Sequence, residues 1–279
     1  MKALGYYNGE YGPLDEMKVP MTDRAVYYGD GIYEATPARN GIVYALDAHV
    51  ARMFRSMALL RIPAPMAQED VKKELTKMLG HLDDEELLVY WQVSRGTGRR
   101  AHPFPDSKPN FMMMITPFTP PDLSVPVKCI TEEDTRFLHC NIKTINLIPS
   151  IMAMQKAKEA GCYEAILHRA GRVTECSKSN VHILKNGTLV TAPADNLILS
   201  GIARMHLFEA CEKLGIPVVE RPYTVSELME ADEIFTSGSS SFLRRVVEVD
   251  GKMVGSKDEK NTLKLQTHIR NRYLSETNA

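Results

Sequence analysis

Two of the three Asn-Gly dipeptides in this chain constrain its fold more than any other sequence feature. Asn40-Gly41 and Asn186-Gly187 each stand between two β-prone runs, "GIYEATPAR" with "IVYAL" and "NVHILK" with "TLVTA". Asn-Gly favours the type I′ turn of a β-hairpin, because both residues accept positive φ angles at low cost. The sequence therefore predicts a hairpin in each half of the chain.

Helical spacing of apolar residues predicts several helices between these hairpins. Asp47 is expected to cap the first, and the second is expected over Glu69–Leu79. In the second half, one helix is predicted from about residue 150 to Gly161, and another from Gly201 to Gly215. Further strands are predicted at "ELLVYWQVS", "NFMMMIT", "VPVKCIT", "CYEAILHR" and "RVTEC". The pattern indicates an α+β fold.

A proline-dense segment, "PFTPPD", joins the two patterned halves. Such segments are typical of linkers, since proline does not continue a helix and removes a strand donor. We therefore predict two domains, residues 1–120 and 121–279.

Composition excludes several classes of function. The chain has 279 residues and a formal net charge of −1, which gives no support for a nucleic-acid or membrane partner. Its five cysteines are odd in number and form no C-x-x-C pair, so neither a metal site nor a disulfide framework is predicted. The first ten residues, "MKALGYYNGE", lack the apolar core of a signal peptide. A soluble, cytoplasmic protein is expected.

Three weak signals for chemistry remain once phosphate-loop, dinucleotide and hydrolase motifs are found to be missing. Lys143 lies in the β-like run "CNIKTINL", and Glu175 ends the run "RVTE". Two Gly-containing turns, residues 201–203 and 238–241, are candidate anion cradles. Each signal alone is more often structural, and a lysine in such a run usually points to solvent. A desolvated lysine, however, becomes a nucleophilic amine.

Four longer stretches resemble the class IV (fold type IV) aminotransferases: "DRAVYYGDGIYEA", "CNIKTINL", "KEAGCYEAILHRAGRVTECSKSNVHIL" and "LILSGIAR". The resemblance extends from about Tyr7 to Lys252. It implies a pyridoxal 5'-phosphate enzyme with a smaller N-terminal α/β domain and a larger C-terminal domain with a β-barrel-like core. It also implies a homodimer whose active site lies between the two domains.

The resemblance assigns roles to the weak signals. Lys143 matches the lysine that binds the cofactor aldehyde and then moves protons, so it is expected to be buried. Glu175 matches the acid that pairs with the pyridine nitrogen. Five further residues match ligands of the cofactor phosphate: Arg52, Ile202, Ala203, Ser239 and Ser240.

The stretch "WQVSRGTGRRAHPFP" bears on the subfamily and resembles that of D-amino acid aminotransferases. In D-amino acid aminotransferases, R-G-T at a strand end is followed by R-A-H, whose arginine and histidine hold the substrate carboxylate with a tyrosine. These residues match Arg100, His102 and Tyr33. A guanidinium fork suits a carboxylate. The predicted reaction is transamination between a D-amino acid such as D-alanine and 2-oxoglutarate.

Alternatives stay open at this point. A branched-chain L-aminotransferase fits the same cofactor motifs, and an (R)-amine transaminase or an aminodeoxychorismate lyase fits them less well. A non-enzymatic protein of this fold is disfavoured by the presence of both Lys143 and Glu175. The chain also departs from the family pattern, with Ala203 at a common threonine position and Cys176 and Lys178 in the turn after Glu175.

Overall fold

The computed structural model describes residues 3–82 and 85–278, and the α+β prediction is confirmed. Met1 and Lys2, from the stretch used to judge a signal peptide, lie outside the described residues. The helices are α1 Arg24–Tyr28, α2 Leu46–Leu60, α3 Gln68–Leu79, α4 Ile148–Glu159, α5 Ile202–Leu214, α6 Val225–Met229 and α7 Glu259–Glu276. The strands are β1 Leu4–Tyr7, β2 Glu10–Pro13, β3 Gly31–Arg39, β4 Ile42–Val43, β5 Glu86–Ser94, β6 Asn110–Pro117, β7 Val127–Glu133, β8 Glu164–Arg169, β9 Arg172–Cys176, β10 Asn180–Lys185, β11 Thr188–Thr191, β12 Val218–Glu220, β13 Glu233–Gly238, β14 Phe242–Val249 and β15 Lys252–Met253.

The chain forms two compact units. The first comprises Met1–Pro120, Ile142–Asn146 and Tyr273–Ala279, and the second comprises Pro121–Asn141 and Leu147–Arg272. The predicted boundary near residue 120 divides the chain once. In the structure, the short segments Ile142–Asn146 and Tyr273–Ala279 also belong to the first unit. One of these segments contains Lys143.

The first unit is built on a six-stranded sheet in the order β2-β1-β6-β5-β3-β4. Apolar residues of β5 and β6 alternate with half-buried ones and pack against α2 and α3, so Val89, Trp91 and Met113 are fully buried. The Asn40-Gly41 hairpin is confirmed, with both residues at positive φ. The predicted Asp47 cap is wrong: α2 begins at Leu46, so Asp47 lies in its first turn.

The segment around Lys143 corrects two expectations. It is not a strand, since it pairs with β3 only through a bridge between Thr144 and Ile32. This bridge consists of two backbone hydrogen bonds: Tyr33 N–H donates to the Lys143 carbonyl (3.0 Å), and Ile145 N–H to the Gly31 carbonyl (3.1 Å). Lys143 is half-buried rather than buried, because its neighbours Ile142 and Thr144 occupy the inward positions.

The second unit contains a nine-stranded sheet in the order β12-β11-β10-β13-β14-β7-β8-β9, with β15 paired to β14. The turn at Asn186-Gly187 has two positive φ angles, as predicted. Helix α5 starts directly after Gly201 and ends at Gly215 in the left-handed conformation. Helix α4 begins at Ile148, two residues before the predicted start.

No helix within residues 3–82 and 85–278 has the length and apolar character needed to cross a bilayer. Over the same residues, no group of three or more His, Cys, Asp or Glu side chains is arranged to hold a metal ion. The five cysteines are all free thiols.

Candidate active site

Lys143 and Tyr33 are brought together in the first unit. The Lys143 ammonium nitrogen lies 4.2 Å from the centre of the Tyr33 ring, within the range of a cation–π contact. The Tyr33 ring stacks in turn on Tyr90, with 5.6 Å between ring centres. The backbone N–H of Lys143 donates to the Ser56 hydroxyl at 3.4 Å. The backbone of Lys143 is therefore held by hydrogen bonds, and its side-chain nitrogen contacts the Tyr33 ring.

Arg52 belongs to a buried charged cluster. Its Nε and Nη2 donate to the two carboxylate oxygens of Glu34 at 2.8 and 2.6 Å, and His49 Nδ1 donates to Glu34 Oε2 at 2.7 Å. The side chains of Glu34, His49 and Arg52 are at most 4% exposed. Burial alone would raise the pKa of Glu34, but Arg52 and His49 outweigh it and lower the pKa to about 2. Burial lowers the pKa of His49. The ionised Glu34 thus fixes the guanidinium of Arg52.

Arg100 and His102 lie on an exposed loop and meet at Tyr28. The Arg100 guanidinium is 5.5 Å from the Tyr28 ring centre, and the His102 ring is also 5.5 Å from it. No contact found among the described residues joins Arg100, His102 or Tyr28 to the pair formed by Lys143 and Tyr33. The three predicted carboxylate ligands therefore lie in two separate groups: Tyr33 lies with Lys143, and Arg100 lies with His102.

Glu175 is the centre of a hydrogen-bond network in the second unit. Arg136 Nη1 donates to Glu175 Oε1, while Asn180 Nδ2 and the Leu199 N–H donate to Oε2 at 2.9 and 3.1 Å. Arg136 is itself bound by both oxygens of Asp134, at 2.9 and 2.8 Å. Three donors leave part of the acceptor capacity of a carboxylate unused, because its two oxygens offer about four lone-pair sites.

Burial and charge act on Glu175 in opposite directions. Burial raises its pKa to about 7, although the guanidinium of Arg136 favours the ionised form. The carboxyl group therefore titrates in the neutral range, where a small electrostatic change alters its charge. An added cationic N–H partner would hold it ionised.

The turn after Glu175, which carries the departures Cys176 and Lys178, is organised by a buried acid. Glu164 accepts from the Lys178 N–H at 2.7 Å and from the Ser179 hydroxyl at 2.9 Å. Glu164 is fully buried, and burial raises its pKa. Glu164 therefore holds the backbone of this turn without using the side chains of Cys176 and Lys178. Cys176 is buried, and Lys178 is exposed.

The N-terminus of α5 carries Ile202 and Ala203 in its first turn, after an N-cap glycine whose position has no side-chain cap. The first N–H groups of a helix have no intrahelical acceptor and lie at its positive end, which suits a phosphate. Gly201 is required by close approach, because a Cβ there would lie 2.2 Å from Asn180 Oδ1. This contact joins the helix start to the network of Glu175.

Ser239 and Ser240 lie in the turn between β13 and β14, half-buried and exposed respectively. Gly238 precedes them, and a Cβ there would lie 2.6 Å from the Ser241 hydroxyl and 3.5 Å from Ser179 Cβ. The backbone of this turn thus has little room for a side chain. A small-residue turn with hydroxyl donors fits a phosphate oxygen.

Sequence reasoning missed several residues that hold the predicted ones. Arg136 and Asp134 lie about 40 positions before Glu175, so no local motif connects them to it. Glu34 follows Tyr33 in the quoted motif "GIYEA", but only the packing of α2 on β3 reveals its contact with Arg52. Asn180 lies within the quoted stretch "KEAGCYEAILHRAGRVTECSKSNVHIL", five positions after Glu175, and offered the one local signal.

A cleft of about 810 Å³ elsewhere in the first unit contains none of the predicted site residues. It is lined in part by Tyr6, Met66, Asp106 and Phe111. The chemistry-bearing side chains described above therefore do not coincide with this cleft.

Comparison with known proteins identifies the family of the chain. The model of the family "Amino-transferase class IV" matches residues 31–249. A D-alanine aminotransferase of Bacillus licheniformis is 36% identical over 281 residues, covering 99% of each chain. A D-alanine aminotransferase of Listeria monocytogenes is 36% identical over 260 residues, covering 91% of this chain and 89% of that protein.

A solved structure matches the fold of this chain. The branched-chain aminotransferase of the archaeon Thermoproteus uzoniensis, crystallised with norvaline, has a TM-score of 0.91 and 25% sequence identity. The match covers 99% of this chain and 96% of that one, which confirms the predicted fold. By fold and by sequence, the chain belongs to the class IV aminotransferases, which are pyridoxal phosphate-dependent enzymes.

Proposed function

We propose that the protein transfers the amino group between a D-amino acid such as D-alanine and 2-oxoglutarate. The observation that carries this proposal is the group of Arg100 and His102 around Tyr28, on one exposed loop. A guanidinium and an imidazole presented together suit a substrate carboxylate. The relatives named as D-alanine aminotransferases, at 36% identity over nearly the whole chain, support the same substrate class.

The donor set of the second unit fits pyridoxal phosphate. Glu175 would accept a hydrogen bond from the protonated pyridine nitrogen, since its carboxylate keeps acceptor capacity beyond its three donors. The N–H groups of Ile202 and Ala203, with the hydroxyls of Ser239 and Ser240, would hold the phosphate. Gly201 supports this fit, because it lets the helix start approach Asn180 closely. Arg52 is proposed as a further phosphate ligand, with Glu34 fixing its guanidinium.

When bound, the cofactor supplies an electron sink for the carbanion at Cα. Lys143 would hold the cofactor at its aldehyde through Nζ and, once the substrate amine has replaced it there, would act as the base that moves the Cα proton. The Lys143 carbonyl accepts from the Tyr33 N–H, and the Lys143 Nζ lies over the Tyr33 ring. Glu175 would hold the pyridine nitrogen protonated. Arg100 and His102 would fix the carboxylate and thereby decide which face of the cofactor receives the Cα proton.

A homodimer is proposed as the working assembly. Exposed large apolar side chains cluster in sequence on both sides of the Lys143 segment, at Phe137, Leu138, Ile148, Ile151 and Met152. The last three share one face of α4, at spacings of three and four residues. Apolar patches on a folded surface are typical of protein interfaces, and a second copy is the proposed occupant.

Sedimentation tests the assembly. The pair Ile151→Glu and Met152→Lys should convert the dimer to a monomer, because it places charges in the apolar patch. Leu263→Lys is the matched control, since Leu263 is 65% exposed on α7 and should leave the dimer intact. A wild-type protein that sediments as a monomer would contradict the proposal.

A cytoplasmic location is also proposed. Five cysteines, all as free thiols, are typical of a reducing compartment.

The reaction is tested by absorbance spectroscopy of the purified, cofactor-loaded protein. D-alanine alone should convert the long-wavelength band of the bound cofactor to that of its amine form, and 2-oxoglutarate should restore it. Conversion by L-leucine alone would replace the proposed substrate class with that of a branched-chain L-aminotransferase. A protein that stays colourless with added cofactor would overturn the enzymatic proposal altogether.

A further inference from the structure

We infer that Arg24 is a positioning residue that presents Arg100 and His102 to the substrate carboxylate, acting through the backbone of loop 99–103. The inference rests on the proposed carboxylate role of those two side chains.

The contacts of Arg24 with this loop are unusual for a buried cation. Its Nη1 donates to the carbonyls of Ala101 (2.7 Å) and Pro103 (3.4 Å), and its Nη2 to that of His102 (3.4 Å). Three consecutive carbonyls of an exposed loop are thus bound by one guanidinium, although water would satisfy them in most loops. Arg24 itself is 4% exposed.

Arg24 is fixed from the opposite side by Asp30. Arg24 Nε donates to Asp30 Oδ2 at 2.7 Å, and Arg95 Nε donates to both oxygens of Asp30 at 3.0 and 2.8 Å. Burial alone would raise the pKa of Asp30, but the hydrogen bonds from Arg95 and Arg24 lower it, so the carboxylate stays ionised. One half-buried anion thus orients two guanidinium groups.

Arg95 connects this ion cluster to a rigid element. Its Nη1 and Nη2 donate to the carbonyls of Arg61 (3.0 Å) and Leu60 (2.9 Å) at the end of α2. The ring of Phe104, directly after the loop, covers the Arg95 guanidinium at 3.7 Å. The loop is therefore attached at its carbonyls through Arg24 and at its end through Arg95.

Tyr28 completes the arrangement. Its ring lies 4.6 Å from the Arg24 guanidinium, and it is also the ring that Arg100 and His102 approach. Arg24 is therefore connected to Arg100 and His102 in two ways. It binds the backbone of their loop, and it contacts the same aromatic ring that they contact. A shift of Arg24 would move both ligands together.

The discriminating variant is Arg24→Lys. A lysine keeps the ion pair with Asp30, but its compact ammonium cannot serve three carbonyls at once. We expect the KM for D-alanine and for 2-oxoglutarate to rise about tenfold or more, with kcat changed less than about threefold, because misplaced ligands weaken substrate positioning. Arg39→Met is the control, since Arg39 pairs with Glu85 at the far end of β3, and its KM should stay at the wild-type value.

Hydrogen exchange of the cofactor-loaded protein gives a readout that is independent of activity. In Arg24→Lys, amides of residues 98–104 should exchange faster, while those of β5 and β6 keep their protection. General loosening of the fold would raise exchange in the strands as well, and that result would overturn the inference.

Arg100→Met, measured in parallel, separates this inference from the proposed function. If Arg100→Met raises the KM for D-alanine and Arg24→Lys does not, the positioning role of Arg24 is wrong and the proposed function stands. If Arg100→Met leaves KM unchanged, the carboxylate role itself is wrong, and the inference is overturned with it.

Discussion

The guanidinium of Arg136 bridges two acids, donating to Glu175 through one nitrogen and to both oxygens of Asp134 through the others. Only Glu175 was identified from the sequence. Because Arg136 favours the ionised form of Glu175 against the effect of burial, it influences the charge opposite the proposed pyridine nitrogen.

Removing this guanidinium should weaken cofactor binding. Arg136→Met leaves Glu175 buried without its cation, so its pKa should rise further and less of it should be ionised at neutral pH. We expect cofactor affinity to fall about tenfold or more, and the unfolding free energy to fall by about 3 kcal/mol. Fluorescence titration with the cofactor measures the first effect, and Arg136→Lys should restore part of it. Wild-type affinity in Arg136→Met would contradict the role given to this contact.

Replacing Lys143 should abolish turnover. Lys143→Ala removes the amine that would bind the aldehyde and move the Cα proton, so kcat should fall by about 10⁴-fold or more. Steady-state assays with D-alanine and 2-oxoglutarate measure it. Lys156→Ala is a suitable control, because Lys156 is a surface lysine paired with Glu132. Near-normal turnover in Lys143→Ala would remove the basis of the proposed mechanism.

The cluster of Glu34 and Arg52 should make stability depend on acid pH. The folded-state pKa of Glu34 is lowered from 4.5 to about 2, so its contribution is present above about pH 4.5 and lost as pH falls toward 2. At about 1.4 kcal/mol per pKa unit, this contribution is about 3 kcal/mol. Glu34→Gln should therefore be destabilised at neutral pH, and its deficit should shrink below pH 4.5.

Denaturant unfolding between pH 2 and 7 measures this deficit. Glu85→Gln is the control, since Glu85 is 61% exposed in its pair with Arg39 and should change stability little. A deficit of Glu34→Gln that grows as pH falls would contradict the assignment.

Adding one methyl group at Gly201 should disturb the proposed cofactor site. A Cβ there meets Asn180 Oδ1 at 2.2 Å, so Gly201→Ala should displace the amide that donates to Glu175. We expect a loss of cofactor affinity of about tenfold, measured by titration. Gly80→Ala is the matched control, because its nearest neighbour lies at 3.4 Å and its φ of −63° suits alanine. Equal affinities in the two variants would show that the close approach at Gly201 is not needed.

The local elements were largely predictable from the sequence. The Asn-Gly turns, the bounds of β5 and the ends of α3 and α5 follow from φ preferences, side-chain periodicity and glycine caps, which act over a few residues. Local signals failed at Asp47, where Ala45 in the left-handed conformation precedes the helix instead. They failed again at Lys143, whose segment has the composition of a strand but pairs through a single bridge.

The sequence by itself determined the family, the α+β elements and the motif residues, Lys143 and Glu175 among them, because these depend on short-range patterns and on resemblance. Only the tertiary structure decided what holds the motif residues. Arg136 reaches Glu175, Arg52 meets Glu34 and Arg24 binds loop 99–103 across 39, 18 and about 77 positions. The physical reason is that a buried charge needs a partner within a few ångströms in space, and chain folding, which no local pattern encodes, decides which residue that is.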